Sequence, residues 1–202
     1  MTGHYYEKNP EAKSSRKRIS YTIGGLKFEF ETDSGVFSRY RVDYGSDLLI
    51  KSVSPLSGRV LDLGCGYGPI GIVLARLNPA ARVVLADVNR RALTLAAENA
   101  RLNDADNVEI VESDGFSRLE GKFDSILCNP PIRAGKRVVI ELIQASEQHL
   151  SPSGALWLVV QKKQGADSLK TVMGQAFGSC QTVARSGGFH VLKSAARQPS
   201  SG

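Results

Sequence analysis

From residue 58 onward, short β-branched and aliphatic runs alternate with longer amphipathic stretches. The pattern predicts strands at Arg59–Leu63, Arg82–Ala86, Asn107–Val111, Phe123–Cys128, Ala155–Gln161, Gln181–Ala184 and Phe189–Lys193. Helical spacing lies between them, over Ile70–Leu77, Arg90–Leu102, Arg137–Leu150 and Ala166–Phe177. In the second of these, Ala92, Leu95, Ala96, Asn99 and Leu102 form one face of mostly small residues that can pack on a sheet. Alternating strand and helix mean a doubly wound α/β fold around a mostly parallel, seven-stranded, Rossmann-like sheet, with ligands expected at the carboxyl ends of its strands. The last two strands are separated only by Arg185-Ser186-Gly187-Gly188, too short for a crossover, so one strand at that edge is expected to be antiparallel.

The first 57 residues follow another pattern: a basic, polar lead-in to Arg18, a hairpin around Gly24-Gly25, and a turn-rich stretch from Asp33 to Ser38. The expected organisation is a basic arm and β-hairpin over residues 1–45 that caps the site, an α/β unit over 46–194 that carries the chemistry, and a frayed tail over 195–202. A length of 202 residues suits one domain with short appendages, and 42% hydrophobic with 23% charged residues excludes wholesale disorder. The apolar runs are too short to span a bilayer and the first residues lack a secretory pattern, so a cytoplasmic location without membrane contact is expected. Cys65, Cys128 and Cys180 are odd in number and lack close His or Cys partners, which points to reduced thiols and no metal site.

After the first strand of the α/β unit comes Asp62-Leu63-Gly64-Cys65-Gly66-Tyr67-Gly68-Pro69-Ile70-Gly71, a glycine cluster leading into a helix. Such a loop lets a ligand lie against backbone. Gly66-x-Gly68-x-x-Gly71 also fits a dinucleotide fingerprint, so the glycines alone do not choose the cofactor. The acidic residues do. Asp62 beside the loop is unhelpful to a pyrophosphate and suited to an ammonium or sulfonium centre, Asp87 after the next strand can take ribose hydroxyls, and Asp114 after the third can reach an adenine amino group. Val88, Gly115 and, after the fourth strand, Asn129 accompany these carboxylates and the loop residues Gly64, Cys65, Gly66 and Gly68 as cofactor-binding positions, and Phe37 is expected as a cofactor wall. Three acidic groups after three successive strands, with no basic group in the loop, indicate a cationic adenosine cofactor, and S-adenosylmethionine fits. Helix capping is the commoner use of any one such Asp. Cys65 has nothing nearby to activate it and reads as a small loop filler.

The fourth strand ends in Asn129-Pro130-Pro131-Ile132. Prolines alone mark a strand stop, which leaves Asn129 without a reason. The chemical reading is that the Asn129 side-chain oxygen and the Pro130 carbonyl each accept one hydrogen of a planar NH2 group. That turns the nitrogen lone pair toward an electrophile, and no strong base is required before methyl transfer.

The glycine loop, Asp87 and Asn129-Pro130-Pro131-Ile132 together resemble class I S-adenosylmethionine-dependent methyltransferases of the amino-group type. The longer run to Lys136, with Ser34-Gly35-Val36-Phe37-Ser38 and Val42-Asp43-Tyr44-Gly45-Ser46 upstream, is similar to their RsmC-like branch over roughly residues 4–194. The resemblance implies methylation of guanine N2 in small-subunit ribosomal RNA, with ribosomal RNA or the assembling subunit as partner. Two departures stand out: Ile132 replaces the aromatic residue of many amino-methyltransferases, and the chain has no room for the second, degenerate half of two-domain members.

Charge adds a substrate side. Residues 42–128 carry a net −3 and residues 129–202 a net +6, the same as the whole chain. Arg133, Lys136 and Arg137 follow the Asn-Pro-Pro turn, and Lys162 and Lys163 follow the fifth strand at the same carboxyl edge, so these are the expected RNA-binding residues. Lys13, Arg16, Lys17 and Arg18 form a second cluster for which RNA contact and plain solvation weigh equally. Tyr44 fits a base-stacking or a core role, and His149 and His190 read as structural. Competing readings are methylation of a glutamine amide or another RNA base, a cofactor-binding RNA module without turnover, and a nicotinamide-dependent oxidoreductase, which leaves Asn129 and Asp62 without roles.

Overall fold

The structure, a computed structural model, describes residues 13–53 and 55–197, excluding the side chain of Arg133. An antiparallel hairpin, β1 (Lys17–Ile23) and β2 (Leu26–Thr32), turns at Gly24-Gly25. Then follow α1 (Tyr44–Ser52), β3 (Arg59–Leu63), α2 (Pro69–Leu77), β4 (Arg82–Asp87), α3 (Arg90–Leu102), β5 (Val108–Glu112) and β6 (Phe123–Cys128). The chain continues as α4 (Lys136–His149), β7 (Leu150–Gln161), α5 (Ala166–Phe177), β8 (Gln181–Ser186) and β9 (Phe189–Ala195). The seven-stranded sheet has the order β5-β4-β3-β6-β7-β9-β8, and β9 runs antiparallel to both neighbours, as the short link before it requires. The order reverses between β3 and β6. A crevice is expected outside their carboxyl ends, because the connections from the two strands leave in opposite directions.

Side chains alternate across the sheet. Val60, Val83 and Leu85 enter one core with α1, α2, α3 and the hairpin, while Leu61, Leu63, Val84 and Ala86 enter the other with α4 and α5. The hairpin is part of the first core: Phe28 stacks on Phe30, and the Phe30 ring meets Tyr67 of the glycine loop edge-on at 5.8 Å. Its second strand completes its hydrogen bonding with amide side chains. Asn99 accepts from Glu31 N at 2.7 Å and donates to Glu31 O at 2.9 Å, while Asn103 makes the same pair with Glu29 at 3.0 and 2.7 Å. One turn apart on α3, the two asparagines stand in for a third strand and keep the edge of β2 from being left open.

Two expectations change here. The apolar periodicity does not announce α1; Asp43 caps it by accepting from Gly45 N at 2.9 Å and Ser46 N at 3.3 Å. Leu102 lies on the expected buried face of α3 but is 39% exposed, since it is the last residue of the helix and lines an open cleft beside Leu26 and Lys27 of the hairpin. At the carboxyl end, Arg197 donates to Gln175 O at 2.7 Å and pairs with Glu147, so ordered contacts reach 197. Residues 1–12 of the expected arm and 198–202 of the expected tail lie outside the described residues.

Candidate active site

The loop after β3 is tied down by backbone. Gly64 N and Cys65 N both donate to Ala86 O, at 2.8 and 3.0 Å, and Gly66 N donates to Asp87 Oδ2 at 2.8 Å. Asp87 Oδ1 accepts from Asn89 N at 2.8 Å, so this carboxylate joins the glycine loop to the start of α3. Its pKa is raised by enclosure, against the hydrogen bonds of Asn89, Gly66 and Val88. A carboxylate has about four lone-pair sites, so Asp87 retains capacity for a ligand hydroxyl. Gly68 has φ 90° at the helix start, a left-handed conformation that favours glycine, and a Cβ there would displace the end of the Ile72 side chain, 2.6 Å away.

A cavity of about 310 Å³ opens over this loop. Gly64, Cys65 and Gly66 floor it, and Asp87, Val88, Asp114 and Gly115 line it from the ends of β4 and β5. Phe37, Asn129 and Pro131 complete the wall on the far side. Among the described residues no Lys, Arg or His lines it, while Asp43, Asp87 and Asp114 do. That set of acceptors fits a cationic adenosine cofactor, and no described cationic side chain is offered to a pyrophosphate.

Asp62 and Gly68 do not reach this wall. Position 62 points to the same side of β3 as Val60, under α2, where Asp62 Oδ2 accepts from Gly71 N at 2.9 Å. Its Oδ1 is buried without a hydrogen-bond partner, and burial pushes the carboxyl up to about 7, with the Asp87 charge adding and the Gly71 bond opposing. Asp62 therefore supports the loop from behind. Burial and the Asp87 and Asp62 charges push the Cys65 thiol well up, which leaves it unreactive.

The segment after β2 covers the loop from above. Asn89 donates to Gly35 O at 3.1 Å and Arg91 to Ser34 O at 2.9 Å, so the start of α3 holds this segment and sets Phe37 against the cavity. The buried Tyr67 hydroxyl donates to Ser38 O and Arg41 O, each at 3.4 Å. Ser38 itself adopts φ 55°, a left-handed conformation closed by its hydroxyl on Arg41 O at 2.6 Å.

The Asn-Pro-Pro turn stands between two spaces. Ile132 N donates to Pro130 O at 2.8 Å and Pro131 has φ −74° and ψ 71°, the geometry of an inverse γ-turn. That bond leaves Pro130 O one lone pair. Asn129 Nδ2 donates to Asp43 Oδ2 at 3.2 Å and to Ser46 Oγ at 3.1 Å. A carboxylate only accepts, so the amide nitrogen must face Asp43 and Asn129 Oδ1 must face the other way. A second cavity, of about 260 Å³, lies beyond the turn, lined by Pro130, Ile132, Gln161 and Phe189. Phe37, Ser38, Asp43 and Asn129 line both cavities. No individual site role for Asp43, Ser46 or Ser38 follows from the sequence pattern; the signal that finds the first two is an N-cap pattern ahead of Leu48-Leu49-Ile50, which the turn-rich stretch before it obscures.

Of the expected RNA-binding residues, Lys136 and Arg137 are exposed in the first turn of α4, and Lys162 and Lys163 are exposed directly after β7. Arg137 pairs with Glu141 at 3.4 Å. The Arg133 side chain lies outside the described residues. The N-terminal cluster turns largely onto the protein: Arg16 pairs with Glu98, Arg18 with Glu31 and Glu29, and Lys17 sits 4.7 Å over the Tyr40 ring. Tyr44 packs on Phe189 and bonds Ser186, and His149 stacks on Phe116.

Residues 27–193 match the methyltransferase small domain family. The chain is 44% identical to YbxB of Bacillus subtilis over 197 residues, covering 96% of this chain and 98% of that protein. It is 34% identical to ribosomal RNA small subunit methyltransferase C of Cronobacter sakazakii over 192 residues, covering 93% of this chain and 54% of that protein. Among solved structures, the T. thermophilus 16S rRNA guanine-N2 methyltransferase RsmC in complex with AdoMet and guanosine superposes with a TM-score of 0.82 and 27% identity, over 90% of this chain and 51% of that one. The chain thus spans about half the length of these ribosomal RNA methyltransferases and nearly all of YbxB.

Proposed function

Since the chain belongs to the methyltransferase small domain family, as an RsmC-like class I S-adenosylmethionine-dependent methyltransferase, we propose that it methylates an exocyclic amino group, guanine N2 of small-subunit ribosomal RNA. The observation that carries this reading is the shared wall: two cavities meet at Phe37, Ser38, Asp43 and Asn129, and the Asn129 amide is locked with its oxygen free. The first cavity suits the methyl donor. The second, with aromatic sides at Phe37 and Phe189, suits a base taken out of its stack.

S-adenosylmethionine supplies an electrophilic methyl group on a sulfonium. Asp87 and Asp114 bind the adenosine portion, and the glycine loop lets it approach backbone. Asn129 Oδ1 and the remaining lone pair of Pro130 O accept the two amino hydrogens and so hold the nitrogen lone pair out of the base plane. Methyl transfer would form the nitrogen–carbon bond, break the sulfur–carbon bond and pass positive charge from sulfur to nitrogen. The acceptor oxygens stabilise it, and one amino proton then leaves to water. Lys136, Arg137, Lys162 and Lys163 supply a phosphate-binding rim for the RNA.

The test is mass mapping of small-subunit ribosomal RNA from cells lacking the protein, with the purified protein and S-adenosylmethionine added back. One N2-methylguanosine should be missing and should be restored. A restored mark on adenine, or on protein with the ribosomal RNA unchanged, sinks the proposal.

A further inference from the structure

Asp43 is engaged by only one of its oxygens. Oδ2 takes the α1 cap bonds from Gly45 N and Ser46 N and the Asn129 amide. Oδ1 receives no hydrogen bond from the described residues, and Asp43 lines both cavities beside Asn129. With both Asn129 amide hydrogens taken by Asp43 and Ser46, Asn129 Oδ1 and Asp43 Oδ1 are two acceptors that receive no hydrogen bond from the described residues.

A surface of two acceptors suits a base edge that presents donors side by side. Guanine has such an edge: the ring N1–H stands next to the C2 amino group. Adenine has its amino group next to a ring nitrogen that carries a lone pair, which a carboxylate would repel and leave unpaired. We propose that Asp43 determines base specificity, its Oδ1 accepting the ring N–H adjacent to the methylated amine while its Oδ2, with Ser46, holds the orientation of Asn129. This deepens the guanine-N2 reading and rests on it. Asp43 acts in two ways at once: it positions Asn129, and it reads the acceptor itself.

The acceptor that tests the second role is 2-aminopurine, which keeps the C2 amine and lacks the N1 hydrogen and the C6 oxygen; because the missing oxygen is the same for every protein variant, the change of ratio between variants reads Asp43. RNA oligonucleotides carrying guanine or 2-aminopurine at the mapped position are methylated with S-adenosylmethionine, and kcat and KM are measured separately. The wild-type protein is expected to favour guanine by roughly tenfold to a hundredfold in kcat/KM, the discrimination that hydrogen bonding to a base edge supplies. In Asp43→Asn the amide oxygen can still cap α1 and accept from Asn129, because Asn caps helices about as well as Asp. Its NH2 then replaces Oδ1, so turnover of guanine should fall and that of 2-aminopurine should rise relative to it, reversing the preference. Melting temperature should stay near wild type, and any change in S-adenosylmethionine affinity from the lost charge applies to both bases alike and leaves their ratio untouched; a merely structural role of the cap does not produce a reversed preference. Ser46→Ala should lower kcat for both bases and leave their ratio unchanged. Equal use of both bases by the wild-type protein, or an unchanged ratio in Asp43→Asn, overturns the proposal while leaving guanine-N2 methylation standing. Failure of the wild-type protein to methylate guanine overturns both.

Discussion

At the ends of β3 and β4 the wall of the first cavity is largely backbone: Gly64 and Cys65 donate to Ala86 O, and Gly66 donates to Asp87, 21 residues away. At the end of β6 the junction is made of side chains whose partners lie 86 and 83 residues away, Asp43 and Ser46 against Asn129. The floor of the cofactor side is therefore a local device, closed by one strand–loop–helix unit and its neighbour, while its cover comes from the segment after β2. The proposed acceptor side is a distant assembly that exists only when the helix after the hairpin docks against β7 and β9. The first kind tolerates change in the rest of the molecule; the second depends on it.

The sharpest way to break this division is Asn129→Ala. Kinetics should show a loss of about a hundredfold or more in kcat, the scale of removing one preorganised polar group at a transition state, with S-adenosylmethionine affinity nearly unchanged by calorimetry. A matching loss of cofactor affinity would mean the two sides are one device. On the cofactor side, Asp87→Ala removes charge-assisted hydrogen bonds worth about 1.5–3 kcal/mol. Calorimetry should show S-adenosylmethionine binding weakened by about ten- to a hundredfold, and unaltered affinity would place the ribose elsewhere. For the rim, Lys162→Ala with Lys163→Ala should reduce the slope of log affinity for RNA against log salt by about 1.4. An unaltered slope removes that pair from the RNA surface.

The smallest effect concerns Asp62, the support behind the loop. Its carboxyl is pushed up to about 7 in the fold, above its ordinary value of 3.8, so the folded chain holds a proton there that the unfolded chain has lost. That stabilisation is complete below the ordinary value and disappears as pH rises through 7. Urea unfolding of the cofactor-free protein should show Asp62→Asn close to wild type at acid pH and more stable by about 1–3 kcal/mol at alkaline pH. A difference that does not change with pH would mean the carboxyl stays ionised throughout.

The β3–α2 loop, Asp87, the Asn-Pro-Pro turn and the antiparallel last strand were legible because each rests on neighbouring residues. Glycines that need positive φ, prolines that end a strand and a four-residue link that forbids a crossover act within a few positions. The periodicity also located the other helices and strands to within a few residues, except that β7 begins at Leu150, before the proline and glycine that hide its start. α1 escaped because Tyr44-Gly45-Ser46 at its start favours a turn and only the Asp43 cap marks it. The inward direction of Asp62 escaped for a different reason: spacing places a carboxylate beside a loop but does not say which side of the strand it faces.

The amino-acid sequence by itself determined the sheet, the glycine loop at its carboxyl edge and the Asn-Pro-Pro turn, because those follow from local conformational limits and the alternation of apolar positions. Only the tertiary structure decided which way the Asn129 amide points, since that orientation belongs to Asp43 and Ser46 and to the packing of α1 against β7. It also decided that much of the N-terminal basic cluster is spent on Glu98, Glu31 and the Tyr40 ring, a pairing of charges that no spacing along the chain specifies.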